Sequence, residues 1–246
     1  MNNDSHSIDL ESQGAYGQPR AVIDLSVEAR AAFLVKVYTH VFGALAAFAL
    51  IEVVLFQLKL AEPIYTAMMN LPWLLIIGAF MLLGNLATGV AHKAKSLQVQ
   101  YLALLSYVLM QSLLFLPMLF YANEYAKRSS EGGVIASAGL VSLAGFAGLT
   151  AIGLFSRKNF TFLGAIVKWG FMVALVAIIA AAVFGFTLGT LFSVVMVALT
   201  GASIIYTTQA ILREYPEDRY VGASLQLFAA VAMLFWYILR IFMSRD

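Results

Sequence analysis

The chain has 246 residues, of which 62% are hydrophobic and 11% charged, and it carries a net charge of +2. A soluble fold of that composition would leave more apolar surface in water than a globular protein sustains, which excludes an ordinary water-soluble domain and points to the membrane class. Cysteine is absent, which excludes disulfides, thiolate nucleophiles and cysteine-based metal or redox centres.

In chain order, residues 1–30 are rich in Ser, Asn, Gln and acidic side chains and are expected to form a disordered cytoplasmic tail. They lack the basic start, apolar core and small-residue cleavage site of a cleavable signal, so the first apolar helix is expected to serve for targeting. Residues 31–246 then form an all-α transmembrane domain. Apolar stretches at 31–56, 73–90, 99–122, 134–155, 162–184, 188–212 and 220–242 are each long enough for the roughly 20 helical residues that cross about 30 Å of hydrocarbon.

Ionisable groups within such spans are expensive and draw attention first. Lys36 and His40, four residues apart on the first span, share one face and are expected to anchor it at the interface, with a proton relay as the alternative. Glu52, near the other end of that span, is expected at the opposite interface, with the capping of an internal cavity as the alternative. Gln111 and Pro117 lie on the third span, where the proline is expected to bend the helix. The fourth span is dense in Gly, Ala and Ser, so it can pack closely against a neighbour or form an oligomer seam. Lys168 enters the fifth span by a few residues; it either snorkels to the headgroups or joins a polar interior. On the sixth, Ser193, Thr200, Ser203 and Thr207 make one stripe, and on the seventh Gln226, Ala230, Met233 and Tyr237 make another. If the stripes face each other, the interior is polar and uncharged.

Arg20, Arg30, Lys93, Lys95, Arg157, Lys158, Arg213 and Arg219 fall on the N-terminal side, against Lys59, Lys127, Arg128, Arg240 and Arg245 on the other. Because positively charged loops are retained inside, the N-terminus is expected to be cytoplasmic and the C-terminus periplasmic. In the loop between the last two spans, Pro216 is expected to stop the sixth helix, and Glu217 and Asp218 to favour the start of the seventh.

That loop carries a motif. Tyr206, Thr208, Gln209, Ile211, Leu212, Glu214, Tyr215, Pro216, Tyr220, Val221, Gly222 and Ala223 read together as Tyr-x-Thr-Gln, a hydrophobic pair, Glu-Tyr-Pro, a short polar stretch and Tyr-Val-Gly-Ala. This resembles the signature of the Bax inhibitor-1, or transmembrane Bax-inhibitor-motif, family. The stretch "SRKNFTFLG", from Ser156 to Gly164, is similar to the family's basic loop before the fifth helix. The resemblance implies seven helices with the last at the centre of the other six. It also implies one of two activities: a pH-gated calcium leak, or, for bacterial relatives of this short architecture, modulation of a membrane-anchored AAA protease. In the leaking members two aspartates share protons between the last two helices. Carried onto this chain, those positions are Thr207 and Ala230, and an aspartate that often follows the basic pair is Asn159. The carboxylates of the leak are therefore replaced.

Enzyme readings find little support. Gly201–Ala202–Ser203 is similar to the serine motif of rhomboid-type intramembrane proteases, yet Ile204 stands where a glycine should follow. The three histidines, His6, His40 and His92, all precede the later helices, so none is placed in sequence to activate Ser203. No zincin motif or other metal-ligand spacing and no basic patch interleaved with aromatics is present, so neither a metal or other cofactor nor nucleic acid is indicated. The expected role is non-enzymatic modulation of membrane-protein quality control in a bacterial inner membrane, with lipid and a membrane-anchored AAA protease as partners. The alternative is an ion leak through the bundle.

Overall fold

The computed structural model describes residues 21–94, 96–129 and 133–244. It comprises eight α-helices among the described residues: α1 (Val27–Gln57), α2 (Ala61–Met69), α3 (Trp73–Lys93), α4 (Leu97–Ser129), α5 (Val134–Phe155), α6 (Thr161–Phe184), α7 (Thr190–Glu214) and α8 (Tyr220–Phe242). All but α2 are long and apolar enough to cross a membrane, which gives seven spans. The helix α2, at the far end between the first two spans, was not signalled by any apolar run. It is held there by the Tyr65 ring, 4.9 Å from Phe120 of α4.

The segment assigned to a disordered tail divides. Residues 1–20 lie outside those described, but Ala21 to Arg30 are ordered, contrary to expectation. Val22–Asp24 form a 3-10 turn, and Ser26 caps α1 by accepting from the Ala29 N–H at 3.2 Å. The reason is apolar and local: Val22 is fully buried, and a serine at the cap satisfies one of the four free N–H groups of the helix start.

Helix ends follow local chemistry elsewhere too. Tyr215 takes an extended conformation (φ −94, ψ 135), as the steric bulk of a following proline requires, and so closes α7 one residue before Pro216. At the other end of the molecule, α6 stops at Gly185, whose φ of +74 suits a residue without a Cβ and whose N–H reaches back to the Ala181 carbonyl. Pro117 is buried inside α4, which continues through it. At 33 residues α4 is about 50 Å long and exceeds the hydrocarbon layer. Its end carries the Lys127–Glu124 pair at 2.6 Å, one turn apart.

The helix α8 is the axis of the bundle and packs against α1, α3, α4, α5 and α7. Its small first turn, Gly222–Ala223–Ser224, lets neighbours come close, and its larger residues fill the centre. There Phe115 of α4 stacks on Phe235 at 5.8 Å, meets Trp236 edge-on at 4.9 Å and meets Phe48 of α1 at 5.2 Å. Such ring pairs each contribute about 0.5–1.5 kcal/mol beyond the area they bury.

Candidate functional site

The ends of the helices that carry the signature are tied together by two glutamine side chains. Gln209, near the end of α7, donates from its amide nitrogen to the Lys158 carbonyl at 3.0 Å and accepts from the Phe160 N–H at 3.0 Å, so it grips the α5–α6 loop. Arg213, one turn on, donates to Asn159 at 2.6 Å and to the Thr161 hydroxyl at 3.0 Å. Gln100, wholly buried in the first turn of α4, donates to the carbonyls of Ala94 and Asp218 at 3.1 Å each and accepts from the Gly222 N–H at 3.2 Å. One side chain thus joins the α3–α4 loop, the α7–α8 loop and the start of α8.

The remaining signature residues are packing devices. A Cβ on Gly164 would meet the Tyr206 ring at 2.7 Å, and one on Gly153 would meet the Thr208 side chain at 2.9 Å. A Cβ on Gly222 would lie 2.6 Å from the Ala91 carbonyl oxygen. Val221 and Ala223 are fully buried beside it. Tyr215 is almost fully buried, and its carbonyl accepts from the Val22 N–H at 3.0 Å, next to an antiparallel bridge between Ala21 and Pro216. Burial raises the Tyr215 phenol well above its ordinary range, and the neighbouring Glu214 carboxylate adds to the shift. Tyr220 stands under Lys36, whose ammonium is 5.4 Å from the ring centre. Glu214 itself is exposed, as are Glu217 and Asp218.

His40 completes this end. Its Nδ1 lies 2.7 Å from the Lys36 carbonyl, which can only accept, so Nδ1 carries a proton and Nε2 meets the Tyr101 hydroxyl at 2.7 Å. The ring also packs on Tyr220 at 5.2 Å. Lys36 is exposed.

The two polar stripes are only partly internal. Ser193 and Thr200 are completely buried and Tyr237 nearly so, with its ring 6.1 Å from that of Phe192 across the α7–α8 interface. Ser203, Thr207, Gln226 and Ala230 are half-buried on its flank, and Met233 is exposed. Thr207 lies eight residues before Tyr215 and Ala230 ten after Tyr220, so they stand at similar heights on adjacent antiparallel helices. Neither can ionise. Lys168 does not belong to the interior: it is exposed on α6, whose packed face carries Gly164, Val167 and Ala174. Among the described residues no three His, Asp or Glu side chains are grouped to hold a metal ion.

Glu52 departs from expectation in the other direction. The interface is its leading expectation, but α1 runs on to Gln57 and turns this carboxylate inward, as the alternative has it, where it is 6% exposed and neither oxygen has a hydrogen-bond partner among the described residues. A second polar group was not singled out by sequence. Tyr38 of α1 lies near Thr150 on α5 and Thr208 on α7, whose buried hydroxyl oxygens have no hydrogen-bond partner among the described residues. Gln100 was equally hidden, since a glutamine opening an apolar helix gives no hint that its partners are main-chain atoms of distant loops.

Comparison with known proteins agrees with this architecture. An uncharacterized protein of Pseudomonas aeruginosa, PA2604, is 33% identical over 121 residues, a match spanning 49% of this chain and about half (54%) of that relative's length. The model of the family described as inhibitors of apoptosis-promoting Bax1 matches residues 30–246, from the start of the first span onward, so the chain belongs to the Bax inhibitor-1 family.

Proposed function

We propose that this membrane protein is non-enzymatic and acts by contact with other membrane proteins, as a modulator of quality control by a membrane-anchored AAA protease. In this reading it sits in a bacterial inner membrane with the signature end cytoplasmic. The observation that carries the reading is the pair Thr207 and Ala230, a hydroxyl and a methyl where the family's leak resemblance calls for two carboxyls. Support comes also from the signature end itself. Arg157, Lys158, Glu217 and Asp218 are exposed there on loops that Gln100 and Gln209 hold in fixed relation, a preorganised charged face suited to protein recognition. The test is isolation of the full chain from native membranes with its attached proteins identified. A membrane-anchored AAA protease is expected to be retained, and to be lost on charge reversal at Arg157 and Lys158. Absence of any such protease from the wild-type isolate refutes the assignment.

A second reading, an ion leak through the bundle, is favoured by one observation, the buried Glu52 carboxylate with no hydrogen-bond partner among the described residues. Its measurement is calcium flux into liposomes between pH 6 and 8. Negligible flux is expected on the leading reading; robust flux abolished by Glu52→Gln would establish the leak instead.

A further inference from the structure

A groove of about 630 Å³ opens on the outer face of the bundle between α5 and the start of α6. Gly145 and Leu149 of α5 form one wall, Phe160 and Phe162 the end beside the loop, Ala198 and Ala202 of α7 the floor, and Leu234 of α8 closes the depth. The groove exists because small residues leave it. Gly145 of α5 and Ala198, Gly201 and Ala202 of α7 line it, and a Cβ on Gly145 would stand 3.7 Å from Leu234 of the central helix. The groove is open laterally: Val141 on its rim is 47% exposed and Phe162 59%.

Length and charge identify what fits it. From Phe155, where α5 meets the loop, to Val141 is about 20 Å of helix, close to one leaflet of a bilayer with its interface. On α5 the lining runs no further than Val141, so the groove does not run the height of the molecule. A single acyl chain is about as long as one leaflet. The mouth is cationic. Arg157 and Lys158 are exposed three and two residues before Phe160, on the loop that Gln209 and Arg213 fasten. The N-terminus of α6 starts at the same end, where Gln209 accepts from the Phe160 N–H and Asn159 from the Thr161 N–H, both at 3.0 Å, so the loop that carries the two cations is held against the helix start. Between Gly133 and Glu214 the sequence contains no acidic residue at all. An apolar slot one leaflet deep under a rigid cationic rim matches an anionic glycerophospholipid, its phosphate at the rim and one chain in the slot.

We propose that this groove is a binding site for one anionic phospholipid. The experiment is native mass spectrometry of the full chain in detergent, titrated with phosphatidylglycerol or with phosphatidylcholine of the same chain length. One phosphatidylglycerol per chain is expected to be retained at least fivefold over phosphatidylcholine. Ala198→Phe, and independently Val141→Trp on the exposed rim, should lower that occupancy at least tenfold while the thermal unfolding midpoint is unchanged. Arg157→Gln with Lys158→Gln should abolish the headgroup preference but keep the phosphatidylcholine level, and Lys127→Gln with Arg128→Gln, at the other end, should change neither. Full phosphatidylglycerol retention by both folded groove-filling variants overturns the proposal. So does loss of a dimer or of a co-isolated protein on filling the groove without loss of lipid, since the occupant would then be a second copy or a partner helix.

Discussion

Gln100 accepts a hydrogen bond from the backbone N–H of Gly222 at 3.2 Å, although 122 positions separate them in sequence. This single amide sits where three segments meet and where no water-exposed partner could replace it, because Gln100 is wholly buried. Gln100→Ala is expected to lower stability by about 1–3 kcal/mol by leaving the Gly222 donor unsatisfied. Thermal unfolding in detergent gives the value, and proteolysis of the α7–α8 loop gives the place. A loss below the error of the melt, with the loop still protected, would mean that the clamp is dispensable.

The close approach of α3 and α8 makes a second prediction. In Gly222→Ala the new methyl would stand 2.6 Å from a backbone oxygen, which cannot swing aside as a side chain can, so overpacking of about 1–3 kcal/mol is expected. Gly148→Ala, with open space at the same test, should be neutral or stabilising by up to about 1 kcal/mol. Equal effects of the two substitutions would contradict the packing described.

Tyr215 supplies a pH dependence. Its phenol is raised above the ordinary value of 10.0 by burial, so folding favours the protonated form. The sign follows: this stabilisation is fully present below about pH 10, where the unfolded chain also keeps its proton, and is lost progressively as pH rises above that value. Unfolding midpoints between pH 8 and 11 should fall for the wild type, and Tyr215→Phe should flatten the fall. A variant curve parallel to the wild type would assign the alkaline loss to other groups.

Thr207→Asp with Ala230→Asp tests the geometry of α7 and α8 directly. Two carboxyls sharing a poorly hydrated interface cannot both ionise readily, so one should titrate near neutral pH and bring pH-dependent calcium flux to a protein expected to show little. Either single substitution should do less. Identical behaviour of the double variant and the parent from pH 6 to 8 would place the two positions too far apart to couple.

Orientation is open to single-cysteine labelling, since the chain has no cysteine of its own. Cysteines at Ile23 and Glu217, both exposed, should label from the cytoplasmic face, and one at the exposed Lys59 from the other. The reverse pattern would invert the topology while leaving the fold intact.

How far the sequence disclosed this molecule depends on the scale of the feature. The seven spans are legible because about 20 consecutive apolar residues carry a physical requirement of the bilayer, and the stop before Pro216 follows from local sterics. The short α2, the ordered residues Ala21 to Arg30 and the inward turn of Glu52 are not, because each is decided by packing between segments far apart in the chain. Gln209 shows the boundary well. It belongs to the motif by its spacing, but its task, holding the Lys158 carbonyl and the Phe160 N–H, exists only once α5, α6 and α7 are assembled. Lys168 shows the converse: its charge drew attention in sequence, and the fold simply turns it outward.

The bridge between Ala21 and Pro216, with the Val22 N–H bonded to the Tyr215 carbonyl, also defines a load path. A pull applied to the chain ahead of Ala21 would load this contact before it loads α1. A single backbone hydrogen bond is the weakest link on that path, so it should part first, uncover Val22 and Tyr215 together, and only then pass the tension along the chain to the first span. The contact is thus a breakaway latch for the start of α1, and Val22→Ala should ease the first step of extraction without changing the later ones.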